Sequence, residues 1–163
     1  MSRALRSIGR ACLFVSACLF GAQAASAGAI ALTTTRVASG LTQPLYCTHA
    51  PNDTARLYIV EKAGRIKVLN LATSTITSTF LDISSIVNST TLEFGLLGLC
   101  FDPDFANNKY FYVHYSELST GNDIIARYTA TNSDSASSAT AFRVLRLIQP
   151  NQNHRGGWLD FGP

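Results

Sequence analysis

The residues best suited to acid–base chemistry lie in a polar connection near the end of the sequence. His154 follows the amide-rich segment 149–153 and precedes the pair Gly156-Gly157. Histidine is the side chain best placed to exchange a proton near neutral pH, and paired glycines let a ligand or another chain segment approach the backbone closely. The connection is therefore a candidate site for proton transfer, with a solvated loop carrying an incidental histidine as the alternative.

The segments that must position this connection are predicted to be β-strands. They either alternate polar and apolar residues or form short apolar runs bounded by turn residues. The predicted strands are 57–60, 65–68, 75–83, 95–101, 110–115, 124–128 and 142–148. No segment has the period and length of an amphipathic helix, and the Ser-, Ala- and Asn-rich segment 131–140 is predicted to be a mobile surface loop. The fold class is therefore predicted to be all-β.

A repeat is visible beneath the strands. Three similar segments contain Pro51, Pro103 and Pro163, which are 52 and 60 residues apart, and each complete interval holds about four strands. A period near 50 residues with about four strands per repeat is typical of β-propeller blades, and a β-sandwich with irregular hairpins is the alternative. Because the third copy stops at Pro163, we expect a truncated chain that holds about two blades and the start of a third.

The repeat predicts where the polar connections meet. In a propeller, the connections that enter the innermost strand of each blade lie on one face, close to the central axis. Here those connections are residues 41–44, 91–94 and 153–156. The polar residues that they would direct toward one shared mouth are Gln43, Glu93, Asn153 and His154. A carboxylate and an imidazole that converge on an axial pocket form a candidate acid–base site.

The first 27 residues are predicted to be a secretory signal peptide. Arg3, Arg6 and Arg10 form a basic region, an apolar run follows at 11–20, and 25–27 is a small-residue cleavage box. The apolar run is too short to span a membrane. The mature protein, residues 28–163, is therefore expected to be secreted or periplasmic, with no membrane span after cleavage.

Removal of the signal peptide leaves a chain with balanced charge. The 13 basic residues lose Arg3, Arg6 and Arg10, so the basic residues that remain equal the 10 acidic residues in number. A surface for nucleic acid or for anionic lipid requires a cluster of like charge, and the mature sequence has none. Neither class of partner is expected.

Two cysteines remain after cleavage, Cys47 and Cys100. Exported proteins can form disulfides, and each of these cysteines lies a few residues before an equivalent proline of the repeat, so a disulfide and two separately buried thiols both stay open. The sequence lacks the Cys-x-x-Cys spacing of a metal site, and Asp102 and Asp104 are interpreted as turn residues. No metal ligand is assigned.

Four motifs give the sequence a family resemblance. The segment EFGLLGLCFDPDF at 93–105 resembles the signature E/Q-x-GLLGLAFHPDF of the soluble PQQ-dependent aldose dehydrogenases, the glucose/sorbosone dehydrogenase family. Segments 40–44, 60–66 and 153–163 are similar to the flanking motifs of that family and occur in the same order. The resemblance covers essentially residues 36–163 and is specific for the family.

The resemblance implies an activity and its cofactors. It implies a six-bladed β-propeller that holds pyrroloquinoline quinone (PQQ) and calcium on its axial face and oxidises an aldose sugar. Hydride would pass from the sugar to the quinone, and an external electron acceptor would take up the electrons. The basic residues that clamp the quinone, and the calcium ligands, lie later in the family's sequence and are expected beyond residue 163.

The resemblance also implies roles for individual residues. By motif position, His154 is the general base that takes the hydroxyl proton. Glu93 occupies a position often held by Gln, near the cofactor and the substrate. Asn153 falls where sugar dehydrogenases commonly carry an acidic partner to the histidine. Together with Gln43, Glu93 and Asn153 are the predicted substrate- or cofactor-binding residues.

A second class of function stays open. Propellers of the same superfamily include non-catalytic modules that bind a protein or a glycan, as the hedgehog-interacting relatives do. His154 favours the enzyme, whereas Asn153 and Glu93 depart from the common pattern and leave room for the binding module. As an enzyme, residues 28–163 alone are expected to be inactive, because the cofactor-clamping groups are not among them.

Overall fold

The computed structural model describes residues 32–162, and strands dominate this part of the chain. The signal peptide predicted for residues 1–27 lies outside the described residues. Among residues 32–162, no helix has the length and hydropathy that a membrane crossing requires.

The first sheet is a four-stranded antiparallel meander. Its strands are β1 (Pro44–Thr48), β2 (Arg56–Glu61), β3 (Arg65–Asn70) and β4 (Thr75–Asp82), and they pair in the order of the sequence. β2 is a short apolar run whose last four residues are buried, whereas in β3 apolar residues alternate with charged residues, so one face of β3 is buried and the other is more accessible. This sheet confirms the strands predicted at 57–60, 65–68 and 75–83.

The second sheet repeats the same topology. It contains β5 (Leu96–Phe101), β6 (Tyr110–Ser116), β7 (Asp123–Asn132), the two-residue β8 (Ser135–Ala136) and β9 (Phe142–Leu147). Strands β5, β6 and β7 pair in sequence order, and both β8 and β9 pair with β7. The continuous apolar run predicted to be a doubly buried strand is β5, four of whose six residues are buried.

The segment 131–140 has more structure than the sequence analysis predicted. Residues 131 and 132 still belong to β7, Ser135–Ala136 form β8, and Ser138–Thr140 form a 3₁₀ turn. The Ser137 hydroxyl caps that turn by accepting a hydrogen bond from the Ala139 amide at 3.2 Å. The prediction of a loop is therefore wrong where these elements form, because small polar side chains here close local turns instead of leaving the backbone solvated. The predicted surface position is confirmed, since none of residues 131–140 is buried, and the mobility of the segment stays a prediction.

An aromatic cluster joins the two sheets. Tyr58 of β2 contacts Phe101 of β5 with ring centroids 4.7 Å apart, and Phe80 of β4 contacts Phe111 of β6 at 4.8 Å. Tyr128 of β7 stacks on Phe111 at 5.8 Å. Each such pair contributes about 0.5–1.5 kcal/mol beyond the burial of its area, so the cluster fixes the two sheets against one another.

Two successive antiparallel sheets, one of four strands and one of five, confirm the prediction of consecutive β-propeller blades. Strands β1 and β5 are the first strands of their sheets, lie side by side, and each precedes a turn that contains a proline of the repeat. Residues 148–162 contain no strand and run back across the second sheet. The start of the third repeat is therefore present here as an extended connection.

The two cysteines are free thiols in the described chain. Cys47 on β1 is exposed, and Cys100 on β5 is half-buried. Burial raises the pKa of the Cys100 thiol to about 11. The thiols are separate, as in the second alternative left open by the sequence, but that alternative placed both in the interior, and Cys47 is exposed.

Candidate functional site

The structure brings Glu93 and His154 together. The Glu93 carboxylate accepts a hydrogen bond through Oε2 from the backbone N–H of His154. The two predicted connections therefore do meet, although the residues are 61 positions apart in the sequence. Glu93 contacts the main chain of His154, so its carboxylate fixes where the histidine backbone lies.

The His154 side chain is exposed to solvent. Its backbone adopts a left-handed conformation with φ of 62°, which few residues other than glycine adopt. Within residues 32–162 its imidazole makes no hydrogen bond to another residue, so both ring nitrogens are accessible to an incoming hydroxyl group. Asn153 is exposed beside it and, in the same part of the chain, makes no hydrogen bond to the imidazole.

Gln43 lies in the connection that enters β1. Its backbone is also left-handed, with φ of 47°, and its carbonyl accepts a hydrogen bond from the Lys62 amide at 3.0 Å. The side chain is exposed and, within the described residues, has no hydrogen bond to Glu93, Asn153 or His154. The structure thus joins two of the four predicted residues through a hydrogen bond, and the other two are exposed on their connections.

A buried turn links the first two connections. Glu61 and Lys62, at the end of β2, are 3% and 8% exposed. Glu61 Oε1 accepts from the Thr42 amide at 2.7 Å, and Lys62 Nζ donates to the Thr91 carbonyl at 2.6 Å. Because one turn holds both Thr42 and Thr91, the connections carrying Gln43 and Glu93 keep a fixed separation.

Arg155 anchors the connection that carries His154. Its guanidinium donates through Nη1 to the Gly121 carbonyl at 2.7 Å and to Asp123 Oδ1 at 3.1 Å, and through Nη2 to the Asn151 carbonyl at 2.6 Å. The same group lies 4.3 Å from the centre of the Phe94 ring. Arg155 is 6% exposed, so an inward-pointing arginine directly follows an outward-pointing histidine.

Two glycines let the connection cross β5 at close range. A Cβ atom on Gly98 would lie 1.8 Å from the carbonyl oxygen of Gly157. Glycine within a strand often marks such a close approach of another backbone segment. The approach places the residues just after His154 directly against the second sheet.

His114 of β6 lies beneath this connection. It is buried, and its Nε2 atom is 3.7 Å from Asp123 Oδ1, beyond hydrogen-bond distance. Burial lowers the pKa of His114 below its ordinary value, although Asp123 and the Gly157 backbone act in the opposite direction. The ring is therefore neutral at neutral pH and contributes a polar, uncharged wall beside Arg155.

No cluster of three or more His, Cys, Asp or Glu side chains suited to a metal ion occurs among residues 32–162. Asp102 and Asp104 form local turns: Asp102 Oδ1 accepts from the Asp104 amide, and the Asp102 carbonyl accepts from the Phe105 amide, both at 2.9 Å. Their interpretation as turn residues is confirmed.

The residues that hold the site in place were not predicted from the sequence. Arg155 and Asp123 are 32 positions apart, and Lys62 is 29 positions from Thr91, so no local spacing connects them. The available signal was the type of residue: a charged side chain next to paired glycines, and an aspartate at the start of an apolar strand. Both patterns also occur at solvated surfaces.

The two successive blade-like sheets place the chain in the class of β-propeller proteins. The chain matches the family described as Glucose / Sorbosone dehydrogenase over residues 41–163. The chain therefore belongs to the glucose/sorbosone dehydrogenase family.

Two kinds of curated relatives are similar in sequence. The chain is 34% identical over 140 residues to the Hedgehog-interacting proteins of Mus musculus and Homo sapiens, covering 78% of this chain and 20% of theirs. It is 29% identical over 136 residues to quinoprotein glucose dehydrogenase B of Acinetobacter calcoaceticus, covering 78% of this chain and 28% of that protein. The chain thus spans less than a third of the length of these relatives.

Two solved structures share the fold. The PQQ-bound aldose sugar dehydrogenase of Streptomyces coelicolor has a TM-score of 0.62 and 23% identity, covering 79% of this chain and 37% of the other. A crystal structure of glucose dehydrogenase has a TM-score of 0.63 and 21% identity, covering 77% and 36%.

Proposed function

We propose that the full-length parent protein is an exported, quinone-dependent dehydrogenase that oxidises an aldose sugar. Membership of the family supports the proposal, as do the similarity to a quinoprotein glucose dehydrogenase and the shared fold with a PQQ-bound sugar dehydrogenase. The observation that carries it is the exposed His154 imidazole, held at the point where the Glu93 connection meets its own.

His154 would act as the general base. An unpaired imidazole nitrogen takes the proton from the oxygen of the sugar hydroxyl while hydride leaves the carbon that bears this hydroxyl, so no positive charge accumulates on the sugar. The bound quinone would supply the hydride acceptor. Glu93 has a second carboxylate oxygen beyond the one that accepts from His154, and we propose that this oxygen, together with Asn153 and Gln43, orients sugar hydroxyls.

The described residues fit part of this chemistry. They supply a base and hydroxyl-binding groups, but PQQ is a tricarboxylate and needs cations. Two cations that contact the connections are engaged, Lys62 with the Thr91 carbonyl and Arg155 with Asp123. We therefore propose that the groups that bind the quinone carboxylates, and the ligands for calcium, come from beyond residue 163.

Reconstitution of the full-length protein tests the proposal. The protein is titrated with PQQ in the presence of calcium, and sugar-dependent reduction of a redox dye is then followed across a set of aldoses. We expect saturable quinone binding and dye reduction that requires both sugar and quinone. A folded full-length protein that binds no PQQ would contradict the proposal.

A second candidate is a binding module without redox chemistry. The 34% identity to Hedgehog-interacting proteins, compared with 29% to the quinoprotein, favours a protein partner as the ligand of this alternative. Absence of quinone binding together with saturable binding of a protein ligand would support this candidate in place of the enzyme.

Export is part of the proposal and has its own test. Residues 1–27 would direct secretion or transfer to the periplasm and would then be removed. N-terminal sequencing of the exported protein is expected to begin at residue 28, whereas an intact Met1 on the exported protein would contradict cleavage.

A further inference from the structure

We propose that Asp123 and Arg155 form a positioning pair that fixes the connection carrying His154. The pair touches neither ring nitrogen of His154 and acts through the backbone around it. Its importance for catalysis rests on the proposed dehydrogenase function, whereas its effect on the connection can be measured without that function.

The contacts of Arg155 join the connection that carries His154 to the turn before β7 and to the start of β7. Nη1 reaches the Gly121 carbonyl in the turn between β6 and β7, and it also reaches Asp123 at the start of β7. Nη2 reaches the Asn151 carbonyl, four residues earlier in the connection itself. The segment from Asn151 to Arg155 is thereby closed on itself and attached to the sheet, with His154 inside the closed segment.

The opposite charges of Asp123 and Arg155 explain why both side chains can be buried. The side chains of Asp123 and Arg155 are 0% and 2% exposed, and a buried charge is tolerated only when it is paired. The other neighbours of Asp123 Oδ1 are weak: Ser116 Oγ lies at 3.4 Å and His114 Nε2 at 3.7 Å. Asp123 therefore depends on Arg155 for its charge balance.

An arginine suits this place better than a lysine. Its planar guanidinium donates to three acceptors in fixed directions and lies 4.3 Å from the Phe94 ring centre at the same time. Phe94 directly follows Glu93, whose carboxylate accepts from the His154 amide. The arginine thus links both sides of the Glu93–His154 contact to one buried carboxylate.

The Asp123–Arg155 pair would affect the reaction by setting the position of the His154 imidazole. The His154 side chain is exposed and its backbone has a left-handed conformation. Because no packed side chains among the described residues hold the imidazole, the backbone on each side of His154 determines where the ring lies. A displacement of about 1 Å in a reacting group can reduce the rate by about 100-fold. Loss of the pair should therefore lower kcat and leave quinone affinity unchanged.

The test compares three variants of the full-length protein with a matched control. Arg155→Met removes the hydrogen bonds, Asp123→Asn removes the counter-charge, and the double variant removes both charges. Arg127→Met is the control, because Arg127 also stacks on an aromatic ring, at 4.1 Å from Tyr110, but does not contact the connection. Hydrogen exchange of residues 149–158, thermal stability, PQQ affinity, kcat and KM are measured for each.

The double variant separates positioning from general stability. Arg155→Met alone leaves a buried unpaired carboxylate, so it should destabilise the fold and also free the connection. Adding Asp123→Asn should restore part of the Tm, yet exchange at 149–158 should stay fast and kcat should stay at least about 10-fold low, since the hydrogen bonds are still missing. Arg127→Met should change neither exchange at 149–158 nor kcat.

Unchanged exchange at 149–158 in Arg155→Met would overturn the proposal. So would a kcat that recovers together with the Tm in the double variant, because the pair would then act only through stability. If the parent protein binds no quinone, the proposed function fails, and the exchange measurement alone decides: faster exchange confined to 149–158 supports positioning, and exchange spread over the whole sheet overturns it.

Discussion

At the scale of single residues, Glu93 combines a structural and an electrostatic effect. Its carboxylate accepts from the His154 amide, and glutamine offers an acceptor oxygen of the same reach. Glu93→Gln should therefore retain the connection while removing a negative charge beside a site proposed for an anionic quinone. Since one nearby like charge is worth on the order of 1 kcal/mol, PQQ should bind about fivefold more tightly.

Titration of the full-length Glu93→Gln protein with PQQ measures this effect. Glu93→Ala is the matched comparison, because it removes the charge and also the acceptor for the His154 amide. It should speed hydrogen exchange around His154, whereas Glu93→Gln should leave that exchange slow. Weaker PQQ binding in Glu93→Gln would show that the carboxylate is needed for the cofactor.

Burial of His114 should make the stability of the protein depend on pH. Because burial lowers the pKa of His114 below 6.5, the unfolded chain binds a proton at pH values where the folded chain does not. Above pH 6.5, the ordinary pKa of histidine, His114 is neutral in both the folded and the unfolded chain and does not change the free energy of unfolding. As the pH falls below 6.5, the free energy of unfolding should decrease. The charges facing the ring are Asp123 and Arg155, and a protonated ring would lie beside the arginine.

Urea unfolding of the full-length protein at about pH 7.5 and about pH 5.0 tests whether the free energy of unfolding decreases at the lower pH. His114→Gln should lose part of the decrease in stability between these values, because the amide cannot titrate. Other groups contribute equally to both proteins, so the difference between them isolates His114. Equal decreases in both proteins would contradict the assignment.

At the scale of elements, β5 and the connection crossing it are fitted to one another at Gly98. A Cβ atom there would lie 1.8 Å from the Gly157 carbonyl oxygen, so alanine must displace backbone. Gly98→Ala should destabilise the full-length protein by about 1–3 kcal/mol, the usual cost of overpacking, and should lower kcat by moving His154. Unfolding curves and kcat measure both effects, and a variant with wild-type kcat would show that His154 does not depend on this crossing.

The sequence predicted the elements well and their attachment poorly. The apolar run of β5 and the alternation of β3 follow from local chemistry, so periodicity was sufficient to find them. The turn at Ser138–Thr140 was missed because small polar residues are equally typical of open loops and of capped turns. The contacts of Arg155 depend on segments brought together only in the folded sheet, which no pattern within the connection encodes.

The candidate site was also predicted only in part from the sequence. The meeting of Glu93 with His154 was predictable because the repeat gives the connections that carry them equivalent positions. The exposed positions of Gln43 and Asn153, without a hydrogen bond to His154 among the described residues, were not predictable, because each depends on a backbone turn. Sequence repeats thus predict which connections meet, and tertiary contacts decide which atoms touch.

At the scale of the whole molecule, apolar surface is left uncovered on the second sheet. All six residues of β9 are exposed, and Ile148 and Trp158 are 82% and 75% exposed. Exposed apolar patches and unpaired strand edges promote aggregation. Residues 28–163 expressed alone should therefore be poorly soluble or partly unfolded and should bind no PQQ, as checked by gel filtration, thermal melting and quinone titration. A monomeric, cooperatively melting fragment that binds PQQ would contradict this expectation.

The proposed role of His154, removal of the hydroxyl proton from the sugar, is tested most directly by the turnover of a His154→Ala variant. Full-length wild-type and His154→Ala proteins are loaded with PQQ and calcium, and sugar-dependent turnover is compared at equal quinone occupancy. Loss of a general base should lower kcat by about 100-fold or more, with PQQ affinity unchanged because the groups that bind the quinone are proposed to lie beyond residue 163. A His154→Ala protein that binds PQQ and keeps its turnover would remove His154 from the mechanism.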